Sequence, residues 1–373
     1  MKKPSEDRNV TSLNPDLEDR APEITDISVN TSVYQHLFFP AKTKQKRQAY
    51  DNKSNVKWQT WRGSLPDGAV SIYNTIEERT DYVCKFKCIA GFYSHSLGDF
   101  CHFPYADIEY RAPFFDILVN EDNFEILEWK EGSFGSVSEH AVRTCSSDKV
   151  YVGKNKYGLG KVHPRNRAFY LPWKGTEYWY WYYEVLTINR DVKSERISDV
   201  SYKINDGETT RYPPETMRIF STSNNGCNSV TKTVTLSKTV RDEKSWDIQA
   251  SLSVGVTKTF SAGIPSIVSG MIEVSTLVSI DFSEGATHAE DFTHSAEVQV
   301  SVPPNHSCKV KMLAYKYNVN IPFTALLTRT YSNTVTKRMR ISGTYHGIQV
   351  GEVRAVVERC AHISSAQPCP QKT

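Results

Sequence analysis

The stretch Trp246–Phe282 reads WDIQASLSVGVTKTFSAGIPSIVSGMIEVSTLVSIDF, and apolar and polar residues alternate along most of its length. A period of two is typical of a β-strand with one apolar face and one polar face. The alternation is interrupted at the four residues from Gly263 to Ser266, where glycine and proline favour a turn. Met271 and Leu277 also depart from it. The stretch therefore predicts a long β-hairpin whose tip lies at Gly263–Ser266.

The two faces of this hairpin suit two environments. A soluble antiparallel sheet would bury the apolar face in a core, whereas a transmembrane barrel would turn it to lipid and the polar face to a water-filled lumen. The polar face carries Asp247, Gln249, Glu273 and Asp281 as candidate lumen residues. The candidate membrane-insertion residues of the apolar face are Trp246, Ile248, Leu252, Val254, Val256, Phe260, Ile264, Pro265, Ile272, Val274, Val278, Ile280 and Phe282.

The composition of the whole chain favours an all-β protein. The 373 residues are rich in tyrosine and phenylalanine and carry a formal net charge of only +3. Short alternating runs of Ser, Thr and Val recur, and we find no long amphipathic helical pattern. The near-neutral charge argues against a nucleic-acid partner that binds by bulk charge. No stretch reaches the roughly 18 apolar residues of a membrane helix.

Eight cysteines indicate an oxidising compartment. Their number is even and they lack the paired spacing of a zinc site, so four disulfides in a secreted protein is our first interpretation, and eight reduced cytosolic thiols is the alternative. Two glycosylation sequons, at Asn30 and Asn305, favour secretion. No ordinary signal peptide is visible at the polar N-terminus. The disulfide candidates are Cys84, Cys88, Cys101, Cys145, Cys227, Cys308, Cys360 and Cys369.

Three segments are expected along the chain. Residues 1–54 read as a disordered or propeptide-like segment, with a basic run at Lys44, Lys46 and Arg47 that suits a processing protease or is simply solvated. Residues 55–190 contain an internal repeat of about 70 residues, in which WRGSLPDGAV is echoed by WKEGSFGSVSEHAV. Residues 191–373 alternate Thr and Ser with Val, which predicts a separate domain of long strands.

Several long motifs resemble the natterin family of fish proteins, over about residues 55–370. This resemblance implies two lectin-like repeats joined to an elongated pore-forming module of the aerolysin type. Proteins of that type bind a surface, assemble into a ring and insert one hairpin per subunit into a shared barrel, so the partners implied are a lipid bilayer and further copies of the chain. Family members from venom carry a signal peptide, which is not visible here. The motifs are RTDYVCKFKCIAGFYS, NEDNFEILEWK, KVYVGKNKYGLGKVH, FYLPWKGTEYWY, SAGIPSIVSG, VPPNHSC and ISGTYHGIQVGEVRAVVERC.

The resemblance also implies a sugar site. Lectin-like repeats of this kind bind mannose through an aspartate and a lysine, and the matching positions in the second repeat are Asp148 and Lys161. A carboxylate and an ammonium hold vicinal hydroxyls by charge-assisted hydrogen bonds. The first repeat has no clear counterpart of the lysine. The alternative interpretation is an ordinary surface Asp and Lys.

Three further features leave alternatives open. The run Tyr178–Tyr183 either stacks sugars or meets a bilayer, or it is a buried aromatic strand. His288 and His294 either sense mild acid or are exposed loop residues. We find no catalytic motif, cofactor motif or metal motif, so we expect a protein that is not an enzyme. A pore former in innate defence or venom is our first hypothesis; a soluble defence lectin and a kinin-releasing type of protease are the alternatives.

Overall fold

The computed structural model describes residues 54–268, 271–283 and 285–367, which divide into two compact units. The first unit holds the described residues up to Val192 together with Ser251–Val254 and Tyr331–Met339. The second holds Lys193–Ala250, Gly255–Thr330 and the described residues from Arg340 onward. The two short segments from the C-terminal half that join the first unit are not predicted by the alternation pattern. Lys44, Lys46, Arg47 and the sequon at Asn30 lie outside the described residues.

The all-β prediction is confirmed, because strands make up nearly all of the regular structure. The helices among the described residues are three-residue 3₁₀ turns, and none is long and apolar enough to cross a membrane. The strands of the first unit are β1 (Val56–Thr60), β2 (Ser71–Asn74), β3 (Arg79–Phe86), β4 (Ile89–Tyr93), β5 (Cys101–Tyr105), β6 (Ile108–Ala112), β7 (Asp116–Asn120), β8 (Leu127–Ser133), β9 (Tyr151–Asn155), β10 (Gly158–His163), β11 (Ala168–Trp173), β12 (Thr176–Tyr180) and β13 (Tyr182–Ile188).

The sheet of the first unit is symmetric in its strand order. It runs β1-β7-β3-β4-β5-β6-β12-β11-β10-β9-β13-β8, with β2 paired to β3 off this path. The order is the same when the sheet is followed inward from either edge. The strands that correspond, in this order, are β1, β7, β3, β4, β5 and β6 in the first half and β8, β13, β9, β10, β11 and β12 in the second. The two halves meet where Thr176 pairs with Ile108. The internal repeat therefore folds as two equivalent halves of one sheet.

Equivalent tryptophans fix the alignment of the two halves. Trp58 of β1 and Trp129 of β8 occupy the same position in the strand order, and each ring carries a lysine ammonium 5.0 Å from its centre, Lys85 and Lys154 respectively. Trp129 therefore matches Trp58. The match to Trp61 that the sequence suggests is wrong, because Trp61 lies beyond the end of β1, whereas Trp58 and Trp129 both pair within their strands with the equivalent leucines Leu118 and Leu186.

One apolar cluster joins the two repeats, and disulfides reinforce it. The cluster combines equivalent residues from both halves, so each half contributes apolar side chains to a core that the two share. Cys88 of the first repeat is bonded to Cys145 of the second, and Cys84 is bonded to Cys101 within the first. The buried members of the cluster are Val83, Ala90, Phe92, Leu118, Val142, Val152, Leu159, Leu186 and Ile188.

The second unit is built from much longer strands. Ten of them form one sheet with the path β21-β18-β14-β23-β24-β17-β22, to which β15, β16 and β25 add by pairing with β23. The strands are β14 (Val192–Tyr202), β15 (Glu208–Arg211), β16 (Glu215–Asn224), β17 (Val230–Ile248), β18 (Thr257–Ala262), β19 (Pro265–Val268), β20 (Met271–Val274), β21 (Val278–Asp281), β22 (His288–Val302), β23 (His306–Tyr331), β24 (Thr336–Val357) and β25 (Ala361–His362).

Buried contacts of two kinds hold this second unit together. An apolar cluster around Val310 and Met312 includes the disulfide of Cys308 with Cys360. Glu195 and Arg329 form a fully buried ion pair, with Nε 2.8 Å from Oε1. Removal of either charge from a buried pair of this kind strongly destabilises the fold.

The sequence also singles out two further cysteines and the sequon at Asn305. Cys227 is disulfide-bonded, and Cys369 lies outside the described residues. The sequon at Asn305 does not support glycosylation, because Asn305 is buried and its side-chain amide donates a hydrogen bond of 2.9 Å to the carbonyl of Gln367. The disulfides agree with an oxidising compartment.

Candidate functional sites

The lysine predicted to bind sugar lies in a buried ion pair. Lys161 on β10 places its Nζ 3.1 Å from Oε1 of Glu177 and donates a hydrogen bond of 2.8 Å to the carbonyl of Pro104. Its ammonium also lies 4.8 Å from the ring centre of Tyr170. Asp148 is exposed, and within the described part of the chain it forms no ion pair with Lys161. The sugar-binding role of the two residues stays a prediction.

Glu177 is one of a pair of equivalent glutamates that cross between the repeats. Its Oε2 accepts a hydrogen bond of 2.8 Å from the amide of Asp107 in the first repeat. In return, Glu109 of the first repeat accepts one of 2.7 Å from the amide of Gly175 in the second. Neither glutamate stands out in the sequence alone, although a proline followed five residues later by glutamate occurs in both halves, in PYADIE and PWKGTE.

The partners of the two glutamates differ. Glu109 lies 2.6 Å from Nδ1 of His102, in place of a lysine. Burial opposes the ionisation of Glu109, but the hydrogen bonds from His102 and from the Gly175 amide outweigh it and hold its pKa below the ordinary value. Beside the other glutamate, burial raises the pKa of Tyr170 to about 12. The junction between the repeats thus contains a charged hydrogen-bond network.

The predicted hairpin is present but shorter than expected. It runs from Thr257 to Asp281: β18 pairs with β21, and β19 pairs with β20. The predicted tip at Gly263–Ser266 is wrong, because the last described pair of the hairpin is Val268 with Met271. Pro265 begins β19, a position at which a strand tolerates the missing N–H.

An extra residue explains one break in the alternation. Between the paired segments the first arm has two residues, Gly263 and Ile264, whereas the return arm has three, Ser275 to Leu277. One more residue in one strand of an antiparallel pair is a bulge, which re-aims the side chains around it. Leu277 lies in this bulge and is exposed. A sequence pattern cannot show a bulge when its partner strand is unknown.

The apolar face of the hairpin is docked inside the second unit. Phe260 is buried between Trp246 and Phe282, with ring centres 4.9 and 5.6 Å away. Tyr345 of β24 donates a hydrogen bond of 3.0 Å from its hydroxyl to the carbonyl of Pro265. Ile267 lies so close to Gly351 that a Cβ there would be 2.5 Å from its Cγ2. In this structure the alternation of apolar and polar residues therefore fits a strand pair that is buried on one face.

The first third of the predicted stretch lies outside the hairpin. Trp246, Asp247 and Ile248 end β17 and pair with β24. The chain then bends away, with Gly255 at a φ of 74°. Leu252 and Val254 belong to the first unit, where Leu252 is buried and Val254 is exposed. Leu252 and Val254 fit the apolar side of the hairpin pattern because the same alternation of apolar and polar residues continues through the bend.

The remaining apolar candidates occupy mixed environments. Ile264, Ile272 and Ile280 are half-buried on the hairpin arms, and Val256 is half-buried just before them. Val274 and Val278 are exposed. The exposed end of the hairpin therefore already presents apolar side chains to solvent.

Two of the candidate lumen residues lie on the hairpin and two lie outside it. Glu273 and Asp281 are exposed on the hairpin itself. Asp247 lies 3.2 Å from Nε2 of His346, and Gln249 accepts a hydrogen bond of 3.0 Å from Ser342. Only the first two belong to the hairpin in this structure.

The sequence leaves alternatives open for the aromatic run Tyr178–Tyr183 and for His288 and His294. In the aromatic run, Tyr180 and Tyr183 are buried but Tyr182 is exposed. His288 and His294 lie on strand β22 and not in a loop, so that interpretation is wrong. They face Lys244 and Lys238 across the ladder with β17.

The chain matches known proteins over most of its length. A family model described as DM9 repeat matches residues 87–180. Natterin-3 of Thalassophryne nattereri is 49% identical over 319 residues, covering 85% of this chain and 87% of that protein. Natterin-4 of the same fish is 42% identical over 365 residues, covering 98% and 92%.

Solved structures show more distant similarity. The lamprey immune protein covers 81% of this chain and 98% of its own length, with 16% identity and a TM-score of 0.41. The aerolysin-like protein of Bombina maxima covers 44% and 97%, with 12% identity and a TM-score of 0.27. Similarity at this level carries no conclusion about function.

The fold and the sequence matches define a class of protein: an all-β chain in which a duplicated domain that carries the DM9 match precedes a module of long strands with an amphipathic hairpin. High identity to two natterins over most of both chains decides the family within that class. The chain belongs to the natterin family.

Proposed function

We propose that this protein is a β-barrel pore former that binds a membrane surface, assembles into a ring of its own copies and inserts one hairpin per subunit. The hairpin Thr257–Asp281 is the observation that carries the proposal. Apolar side chains in its tip strands and in its bulge are exposed, namely Val268, Met271, Val274 and Leu277. Contiguous apolar side chains on the surface of a soluble protein mark an interaction site.

Physical chemistry dictates why insertion requires a ring. A lone hairpin in lipid would leave the N–H and C=O groups of both edges without partners, at a cost of several kcal/mol for each group. A closed barrel removes those edges. In the barrel, the face of Phe260, Val278 and Ile280 turns to lipid, and the face of Glu273 and Asp281 turns to water. Trp246–Val256 would have to extend the first arm on insertion.

The N-terminal unit supplies the surface recognition in this proposal. The DM9 match favours a lectin-like role for residues 55–190, and residues 191–373 form the pore module. The ligand is a mannose-type or other cell-surface glycan. A sugar that uses Lys161 has to compete with Glu177 for the ammonium, so binding by Asp148 and Lys161 requires this ion pair to open.

The disulfides support secretion of the protein. We propose that it is secreted as a soluble protein and then acts at a target membrane, with cleavage near Lys44, Lys46 or Arg47 as a candidate trigger. It acts by assembly, without a cofactor and without catalysis.

Dye release from vesicles, combined with electron microscopy, tests the proposal. Purified protein should release dye from glycan-bearing liposomes, and rings should be visible on the same vesicles. Binding to the glycan without dye release or rings would favour the soluble defence lectin. Cleavage of a peptide by the pure protein would favour the protease.

A further inference from the structure

An exposed aromatic cluster lies at one end of the second repeat. Phe134 contacts Trp181 and Tyr182, with ring centres 5.2 and 5.5 Å apart, and Tyr182 is 71% exposed. Arg165 and Arg167 lie in the adjacent loop between β10 and β11 and are exposed. We call these five residues the aromatic–arginine patch. The glutamate network between the repeats and the hairpin do not involve them.

The backbone holds this patch in a fixed shape. Phe134 is 44% exposed and has a φ of 50°, a left-handed conformation that is costly for a bulky residue. Its amide donates a hydrogen bond of 3.0 Å to the carbonyl of Trp181. A Cβ at Gly135 would lie 2.6 Å from the carbonyl oxygen of Pro164, so the turn packs directly on the arginine loop. Strained backbone that keeps an aromatic ring in water is a feature of functional surfaces.

The charge of the patch is positive. Within the described part of the chain, neither Arg165 nor Arg167 forms an ion pair. Burial, followed by the charges of Lys161 and Arg165, lowers the pKa of His163, so this neighbour stays neutral near pH 7. Asp148 is the one carboxylate that acts on His163 in the opposite direction. The patch itself contains two arginines and no carboxylate, so its own charge is positive.

The first repeat lacks this combination. Leu118 and Leu186 are equivalent, because they pair with the equivalent residues Trp58 and Trp129. Four residues before each, Phe114 matches Tyr182 and is also exposed, at 60%. The loop between β4 and β5, which matches the arginine loop, carries Asp99 and no lysine or arginine. An exposed aromatic residue therefore occurs in both repeats, but arginines accompany it only in the second.

We propose that the aromatic–arginine patch binds directly to the headgroup region of a bilayer that contains anionic phospholipid, independently of any glycan. Amphipathic aromatic rings settle at the membrane–water interface, and guanidinium groups hold phosphate by paired hydrogen bonds. The patch supplies both groups on one rigid surface. The proposal rests on the proposed function in one respect, namely that a membrane is the target.

Vesicle flotation with glycan-free lipids tests the patch. The full-length protein is mixed with phosphatidylcholine vesicles, with and without phosphatidylserine. We expect wild type to float with the anionic vesicles, and high salt to weaken the binding. Arg165→Gln with Arg167→Asn should lower the affinity about thirtyfold, since each basic residue near an anionic surface contributes about 1 kcal/mol. Asparagine suits the left-handed φ of 57° at Arg167.

The aromatic half of the patch has its own variant and a matched control. Phe134→Gly with Tyr182→Ser should lower the affinity at least about tenfold, and glycine at the left-handed position should leave thermal unfolding intact. Phe114→Ser removes the equivalent exposed ring of the first repeat and should bind like wild type. Equal loss in the control, or normal binding by both patch variants, would overturn the proposal.

Dye release measured on the same vesicles separates this proposal from the proposed function. Wild type that floats through the patch but releases no dye contradicts the pore and supports the patch. Patch variants that bind and release dye like wild type overturn the patch and leave the pore. Wild type that ignores anionic vesicles and binds only after a mannose-bearing lipid is added overturns the patch in favour of the sugar.

Discussion

At the scale of single residues, buried ion pairs join strands that are not adjacent in sequence. Lys161 on β10 and Glu177 on β12 form one such pair. The same holds for Glu195 and Arg329, which are 134 residues apart. Pairing of this kind is set by sheet topology, so a sequence pattern does not reveal it.

The buried pair in the second unit leads to a stability prediction. Glu195→Gln should remove the negative charge that lies 2.8 Å from the buried Arg329 guanidinium and should lower the free energy of unfolding by about 3–5 kcal/mol. Chemical denaturation checks this value. Glu358→Gln is the control, since it removes a partly exposed pair with Lys311 and should cost no more than about 1 kcal/mol. Similar losses in the two variants would contradict the assignment.

The lowered pKa of Glu109 predicts a dependence of stability on pH. A carboxyl whose pKa is lower in the folded state stabilises the fold above the ordinary value of 4.5, and this contribution is lost as the pH falls through the lowered value. Glu109→Gln should cost about 1–3 kcal/mol at pH 7 and should show a smaller loss of stability between pH 5 and pH 3 than wild type. Denaturation at several pH values checks this. The exposed Glu131→Gln should follow wild type, and a Glu109→Gln profile parallel to wild type would refute the prediction.

At the scale of elements, the alternation predicts strands and faces but not their ends. It correctly indicates β-structure on both sides of the tip, because half-buried strands impose a period of two. It places the turn too early and extends the hairpin back to Trp246, since alternation continues through the bend at Gly255 and through a strand that pairs elsewhere. Bulges and bends depend on the neighbouring strand in the sheet, and the sequence of one strand does not specify that neighbour.

The exposed residues Val278 and Ser279 of β21 allow the two faces of the hairpin to be tested separately for contact with lipid. Val278→Arg would place a charge in hydrocarbon in every subunit, at about 2–4 kcal/mol each near the bilayer midplane. We expect it to abolish dye release while surface binding persists. Ser279→Arg adds the same charge to the lumen face and should retain release. If Val278→Arg releases dye like wild type, this face does not meet lipid.

At the scale of the whole molecule, the sequence predicts the class and the duplication well. The internal repeat of about 70 residues predicts two equivalent halves, and these appear as the symmetric strand order of the first sheet. Even cysteine number indicates disulfides but leaves the pairing open, because connectivity is fixed only by the fold. The inclusion of Ser251–Val254 and Tyr331–Met339 in the first unit likewise follows from three-dimensional packing alone.

A ring of subunits would multiply the lumen charges and set ion preference. Glu273 and Asp281 would form carboxylate rings, to which Asp247 adds if the first arm extends, and such rings favour cations. We expect a modest preference for K⁺ over Cl⁻ that weakens in high salt because the charges are screened. The reversal potential of single channels in a KCl gradient measures it. Asp247→Asn, Glu273→Gln and Asp281→Asn together should move it toward zero, and an anion-selective wild-type channel would contradict the lumen assignment.

The central claim is that the hairpin crosses the bilayer with alternate side chains in lipid and in water. Val278→Cys and Ser279→Cys, each labelled with an environment-sensitive fluorophore, test it most directly, since both positions are exposed in the soluble protein and lie on opposite faces of β21. On addition of liposomes, the label at position 278 should shift to an apolar environment and be quenched by lipid-borne quenchers, while the label at position 279 stays in water. Two labels that both remain in water, or that both enter lipid, would contradict the account.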